Sequence, residues 1–278
     1  MLNRRRFIEF SLVMGTLAVR THAFAAGKSI RLGTVPVVST RTAYEIYGPL
    51  IEYLKTGLEL SAIQLETPPN FKSMYQRIRE DGFDLLISPP HIARLAQKRL
   101  GWHPLVMFQP EHQSVLLVQM SNGPSSLEAL RGGTIALHDS SALVVMVMME
   151  ALSKKGLQVN RDFKIIETRS YESSQIAVKQ GVAQAMIFRS QGFIDASMRE
   201  HFKVIFEAGV LPGYVMIASP NTARQQLQKM RAQLLAFGNT PEAKLFLEKL
   251  GYDAMTSVTE DNMRRLDPFL EATESRLK

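Results

Sequence analysis

The strongest constraint on this chain is an alternation of strand-like and helix-like segments that runs twice along it and breaks once near the middle. Residues 29–36 read as a strand running into a loop. Residues 42–56 show helical spacing, with Tyr44, Tyr47, Ile51 and Leu54 on one side and Gly57 at the end. Residues 62–66 form a second strand. Asn70 caps a helix over 71–80, which Asp81-Gly82 stops. Residues 84–88 make a third strand, apolar throughout its centre, that Pro89-Pro90 ends before a helix over 91–99. Two β-rich runs, 105–108 and 115–120, then follow with no helix between them. Residues 122–126, with Gly123 and Pro124 inside, are the clearest break, and Ser125, Ser126 and Glu128 form a capping pattern after it.

The alternation then restarts. It predicts helix 127–131, strand 134–137, helix 141–155, strand 164–167, helix 171–180, strand 185–188, helix 194–201, strand 204–206 and a β-rich run at 214–218. From Asn221 onward the pattern is helical only: 222–237, 241–250 and 260–277, the last interrupted near Pro268. Two such blocks predict an α/β architecture of two lobes with mostly parallel sheets. The expected layout is a hinged clamp with a double crossover. The chain leaves the first lobe near 119–121, returns near 215–218, and docks its last helices on the first lobe. Lobe 1 is then 26–120 plus 219–278, and lobe 2 is 121–218. Ligands of such sheets bind beyond the carboxyl ends of the strands, here between the lobes.

Residues 1–25 read as an export leader rather than as part of the fold. Arg4, Arg5 and Arg6 precede Phe7-Ile8, a weakly apolar run of about ten residues follows, and Ala23-Phe24-Ala25 is a small-x-small cleavage site. The run is too short to span a bilayer, which takes roughly 20 residues. The paired arginines resemble a twin-arginine signal, although Asn3 and Glu9 stand where that motif usually has a hydroxyl residue and a lysine. Removing the leader, with its four arginines and one glutamate, lowers the formal net charge from +7 to +4. The remaining positive field favours a small anion and calls for no nucleic-acid partner. With no cysteine in the chain, disulfides, a lipid on cysteine, thiolate metal sites and cysteine nucleophiles are all excluded. The expected product is a monomer, free in the periplasm.

Candidate ligand-binding residues sit where strands give way to helices. After the first strand these are Pro36, Ser39 and Thr40; after the third, Ser88 and His91. His138-Asp139-Ser140-Ser141-Ala142 is the best candidate, because Ser140 and Ser141 put two hydroxyls beside free amides at a helix start. Asp139, whose charge opposes an anion, is expected to point away. Tyr171 and Ser173 open the next helix, and Arg189 ends a strand where a guanidinium can clamp an oxyanion. Met146, Met148 and Met149 read as core filling. G-x-S-x-G, H-E-x-x-H, Walker and dinucleotide glycine patterns are absent, and the six histidines lack metal-ligand spacing. No enzyme, cofactor or metal is expected.

Several stretches resemble the phosphate/phosphite/phosphonate-binding proteins of ABC importers. They are Leu32-Gly33-Thr34-Val35-Pro36, Gly48-Pro49-Leu50-Ile51-Glu52-Tyr53-Leu54, Phe83-Asp84-Leu85-Leu86-Ile87-Ser88-Pro89-Pro90, Leu130-Arg131-Gly132-Gly133-Thr134-Ile135-Ala136, Asp139-Ser140-Ser141 and the segment around Gly181. The resemblance implies the type II periplasmic-binding-protein fold. It implies an oxyanion held by a Ser/Thr cluster at a helix start, here Ser140 and Ser141, and a residue after the third strand, here His91. It departs at Pro89-Pro90-His91, where the family has Gly-Pro and then Tyr. It departs again at Tyr171-Glu172-Ser173, where phosphonate binders carry a histidine before the helix, and at Gln184, where they carry an aspartate. The expected role is capture of a small anion for an ABC permease. The alternatives are a ligand-sensing partner of a membrane histidine kinase and, less favoured, an enzyme on the same fold.

Overall fold

Short apolar strands followed by one-sided helices can bury both only by stacking helices on sheets, and this chain does so twice. The computed structural model describes residues 28–38, 40–190 and 196–278. The expected leader, Ser39 and the start of the helix expected at 194 lie outside the described residues.

In the first sheet β1 (Ser29–Gly33) pairs in parallel with both β2 (Ala62–Glu66) and β3 (Leu85–Ser88). Helices α1 (Thr40–Gly57), α2 (Phe71–Arg79) and α3 (Pro90–Leu100) follow these strands in turn. Apolar spacing selects the face each helix buries: Ala43, Ile46, Tyr47, Leu50 and Leu54 on α1; Phe71, Met74, Tyr75 and Ile78 on α2. Asn70 caps α2 by accepting the Ser73 N–H at 2.8 Å. Three more strands complete the sheet in antiparallel pairing: β4 (His103–Gln109), β10 (Val215–Ala218) and β11 (Ala254–Ser257). The order is β11-β4-β10-β3-β1-β2.

The second sheet has the order β7 (Lys164–Glu167), β6 (Thr134–Leu137), β8 (Ala185–Arg189), β5 (His112–Gln119), β9 (Phe202–Leu211). Here too β6 is parallel to its two neighbours, while β5 runs antiparallel to β8 and β9. Helix α4 (Leu143–Lys154) packs on β5, β8 and β9, and α5 (Tyr171–Lys179) on β5, β6 and β8. Met146 and Met148 are buried in this layer, consistent with core filling. A short α6 (Ala196–His201) leads into β9.

Four expectations change. The sheets are mixed rather than mostly parallel, because the strand that enters each sheet at a crossing runs against its neighbours. The crossings lie elsewhere: β5 belongs wholly to the second sheet and β10 to the first, so the chain changes sheet between Gln109 and His112 and between Leu211 and Val215. Strand β9 has ten residues rather than three; Glu207 and Gly209 interrupt its apolar pattern, but pairing along the whole of β5 holds it extended. The C-terminal region is not helical only. In β11, Met255 is the one buried side chain, too little to register as a period of two, and pairing with β4 supplies its stability.

The remaining helices dock on the first lobe. Helices α7 (Arg224–Phe237) and α8 (Pro241–Leu250) pack on α1, and α10 (Leu270–Leu277) packs on α2 and α3. A buried guanidinium ties this end down. Arg94 of α3 makes a two-point contact with Asp267 (Nε to Oδ1 2.6 Å, Nη2 to Oδ2 3.0 Å) and reaches Glu260 at 3.0 Å, at the start of α9 (Glu260–Arg264).

At the crossing, Gly213 lies against the other strand's backbone: a Cβ there would sit 2.2 Å from the carbonyl oxygen of Phe108. Gly213→Ala must push the two crossing segments apart. The expected loss is roughly 2–3 kcal/mol in urea unfolding, in the range of other overpacking changes, whereas Gly48→Ala, with open space at its Cβ, should cost nothing of the kind.

Candidate functional site

The ends of these strands converge on one cavity. Val37 follows β1, Phe71 opens α2 after β2, Pro89 and Pro90 follow β3, and His138 with Ala142, Leu143 and Val144 follows β6. Tyr171 opens α5 after β7, Arg189 ends β8, and His112 and Tyr214 come from the two crossings. The cavity is small, with a volume of about 30 Å³. That fits a compact tetrahedral head group with a small substituent and not a long chain.

The wall is apolar, so its few polar groups stand out. Arg189 is 92% buried, with relative exposure of 8%. Its Nη2 donates to the Leu250 carbonyl at 2.5 Å, and its guanidinium lies over the rings of Tyr214 (5.2 Å) and Tyr252 (5.3 Å). Its Nη1 is buried without a partner, and among the described residues no carboxylate pairs with it. Burial opposes the charge, yet the surrounding tyrosines keep the group above its ordinary value, firmly protonated. Helix α4 adds donors: Ala142 at its N-cap supplies no side-chain cap, so the first-turn amides of Leu143 and Val144 lack an acceptor within the helix, and both residues line the cavity.

Two histidines complete the polar set. His112 and His138 line the cavity, and each holds a buried Nδ1 with no protein partner. Burial, and then the nearby Arg189 charge, drives the pKa of His112 down to about 3. Burial likewise lowers His138 to about 4, with Asp139 opposing and Arg189 assisting. Both rings are neutral near pH 7. His138 is fixed by aromatic neighbours from both lobes, Tyr171 at 4.1 Å and Phe71 at 6.0 Å between centroids.

The lobes are clasped around the cavity. His91 of α3 donates its Nε2–H to the Ser141 carbonyl at 3.0 Å. Phe71 N–H reaches Asp139 at 3.4 Å, and Arg276 of α10 reaches the Ser140 carbonyl at 3.3 Å. Arg265 pairs with Glu111 at one crossing.

The residues read from sequence distribute unevenly over this geometry. Tyr171 and Arg189 line the cavity. Pro36 and Ser88 directly precede wall segments, but the Ser88 hydroxyl donates to the Pro89 carbonyl at 3.1 Å. His91 is part of the clasp. Thr40 is exposed and contacts the Thr67 hydroxyl at 3.1 Å. Ser173 shares its hydroxyl with Ser170 at 3.3 Å. Ser39 lies outside the described residues.

Neither Ser140 nor Ser141, the pair expected to hold the anion, is among the lining residues. The Ser141 hydroxyl donates to Asp139 Oδ1 at 2.5 Å and its N–H to the same oxygen at 2.8 Å, while the Ser140 N–H donates to Glu167 at 3.2 Å. Asp139 does not line the cavity; its carboxylate folds residues 139–141 into a turn, and α4 starts at Leu143 rather than 141. Gln184 accepts the Thr134 N–H at 2.6 Å, at the amino end of β6, so it bears on no ligand group at the carboxyl ends.

His112 and Tyr214 were missed because the crossings were placed wrongly, which put one mid-lobe and the other inside a strand. Pro89, Pro90 and His138 stood inside the motifs singled out, but hydroxyl residues drew the assignment. Val37, Phe71 and Leu143 look in sequence like any core residue.

Comparison with known proteins bears on this arrangement. Residues 32–263 match the family described as "ABC transporter, phosphonate, periplasmic substrate-binding protein". Among solved structures, a binding-protein component of an ABC phosphonate transporter from Pseudomonas aeruginosa is 18% identical, with 91% of this chain and 89% of that one covered at a TM-score of 0.77. PhnD1 from Prochlorococcus marinus, solved with methylphosphonate, is 11% identical over 89% and 98% at 0.78. A Xanthomonas citri protein bound to ATP is 16% identical over 90% and 99% at 0.72. At these identities the structures establish a shared fold, the two-lobed type II periplasmic-binding-protein architecture.

The buried histidines set the acid limit of the fold. His91, like His112 and His138, is pushed by burial below its ordinary 6.5, to about 4, with the Ser141 hydrogen bond and Asp139 opposing. The folded state thus binds fewer protons than the unfolded chain. Its stability is fully present above pH 6.5 and is lost as pH falls through 6.5 toward about 4, at on the order of 3 kcal/mol per histidine. Urea unfolding across that range should show the loss, and His112→Gln should make it shallower.

Proposed function

The chain belongs to the family of phosphonate periplasmic substrate-binding proteins of ABC transporters, and we propose that it closes its two lobes on a small phosphonate-like oxyanion at Arg189 for delivery to an importer. One observation carries the reading: a buried, permanently charged guanidinium with a free Nη1 and, among the described residues, no carboxylate partner, beside the uncapped start of α4. A buried cation without a counter-ion is costly, and an oxyanion supplies both the charge and the acceptor oxygens. The family supports the importer role over a sensor or an enzyme.

The ligand head group meets Arg189 Nη1, the Leu143 and Val144 amides, and the Nδ1 atoms of His112 and His138. The apolar wall of Val37, Phe71, Pro89 and Pro90 takes a small alkyl group or a hydrogen. Among the described residues no carboxylate lines the cavity, so none of them receives a ligand ammonium. Closure brings the clasp residues together and presents a single closed surface to a permease. Residues 1–25 serve as the export signal, through the paired arginines, with cleavage between Ala25 and Ala26.

Methylphosphonate, phosphite or phosphate should raise the melting temperature of the mature chain through ligand linkage. Arg189→Met should weaken binding ~100-fold or more, the effect of removing one partner from a buried charge pair, while Ser140→Ala should leave affinity unchanged. Calorimetric titration decides both; an unimpaired Arg189→Met variant would discard the site.

A second titration tests the class of ligand. Given the missing carboxylate, 2-aminoethylphosphonate should bind at least about tenfold more weakly than methylphosphonate, since a desolvated ammonium is left unpaired. Equal affinity would mean that the cavity holds an ammonium acceptor.

A further inference from the structure

The charges around the cavity have a consequence for the ionisation state of what it holds. Arg189 is the one fixed cation among its lining residues. The other titratable groups around the histidines come from several elements: Asp139 before α4, His91 on α3, Tyr171 on α5, Tyr47 on α1, Tyr214 at the crossing and Tyr252 after α8. Tyr47, Tyr171, Tyr252 and the three histidines are neutral near pH 7. The Asp139 oxygens take the Ser141 N–H and hydroxyl and the Phe71 N–H. Among the described residues the wall holds no second cation to balance a second negative charge, and the apolar setting makes an unbalanced charge expensive.

We infer that the closed cavity takes a phosphonate as a monoanion, so that a dianion enters only together with one proton. The inference rests on the oxyanion reading of the same site. A neutral imidazole carries one donor and one acceptor nitrogen, so an Nδ1 without a protein partner can accept the ligand's P–OH. His112 and His138 each offer such an atom at the wall. Arg189 and the α4 amides then meet the remaining two oxygens. The balance is simple: the dianion gains one proton from solvent, no covalent bond in the ligand changes, and the complex carries one negative charge against one guanidinium. If the proton passes from the ligand to an imidazole, the count is the same.

The test is proton linkage on the mature wild-type protein, with methylphosphonate as probe well above its second pKa. Calorimetric titrations in two buffers of different ionisation enthalpy should show uptake of about one proton per ligand bound, and affinity should fall about tenfold for each unit rise in pH. Binding with no proton uptake and a flat pH profile would overturn the inference and leave the oxyanion site standing. Absence of binding by methylphosphonate, phosphite and phosphate at every pH would remove the site itself and the inference with it.

Discussion

A guanidinium buried between two lobes, with no carboxylate among the described residues to match it, is the constraint around which the rest of the molecule is arranged. Arg189 ends a strand of the second sheet, yet its hydrogen bond goes to Leu250 of the first lobe and its stacking partners, Tyr214 and Tyr252, lie on or beyond the return crossing. Left in an open cleft it would be an ordinary hydrated arginine. In the closed form it is desolvated and retains a free donor. Aromatic faces and one carbonyl offset part of that cost, and an oxyanion is the chemistry that offsets the remainder. Closure and ligand capture are therefore one event in this molecule, and each lobe contributes what the other lacks.

The neutral histidines follow from the same seam. His91, His112 and His138 are buried at or beside the lobe junction, and burial, helped by the Arg189 charge at His112 and His138, keeps them uncharged. Neutrality suits both of their tasks. His91 can hold the Ser141 carbonyl across the lobes with no charge to solvate. His112 and His138 can give or accept a hydrogen bond without adding charge to a site that Arg189 already makes positive. A carboxylate at the cavity wall would pair with Arg189 and close the site to anions. Asp139 avoids this because its oxygens are turned into the 139–141 turn.

Much of the architecture was legible in the sequence because it rests on local periodicity. Helices α2 and α8 and strands β2, β6 and β7 fall where spacing, caps and glycine stops place them, and Asn70 caps α2 as read. The elements that escaped are those whose stability is not local. Strand β11 has one buried side chain and exists through its pairing with β4. The crossings are set by which sheet completes a strand's hydrogen bonds, and β5 has the same composition whichever sheet it joins.

The site divides in the same way. Sequence alone determined that the chain alternates into two α/β blocks, that it has no cysteine to stabilise it or to react, and that hydroxyls, histidines and Arg189 cluster where strands end. These follow from residue type and short-range spacing. Only the tertiary structure decided which of them face one cavity. It turned the Ser141 hydroxyl onto Asp139, brought His112 and Tyr214 in from the crossings, and left Arg189 without a counter-ion among the described residues. The physical reason is that a polar group's role depends on whether its hydrogen bonds are already satisfied, and those partners lie far away in sequence, 61 residues from Arg189 to Leu250.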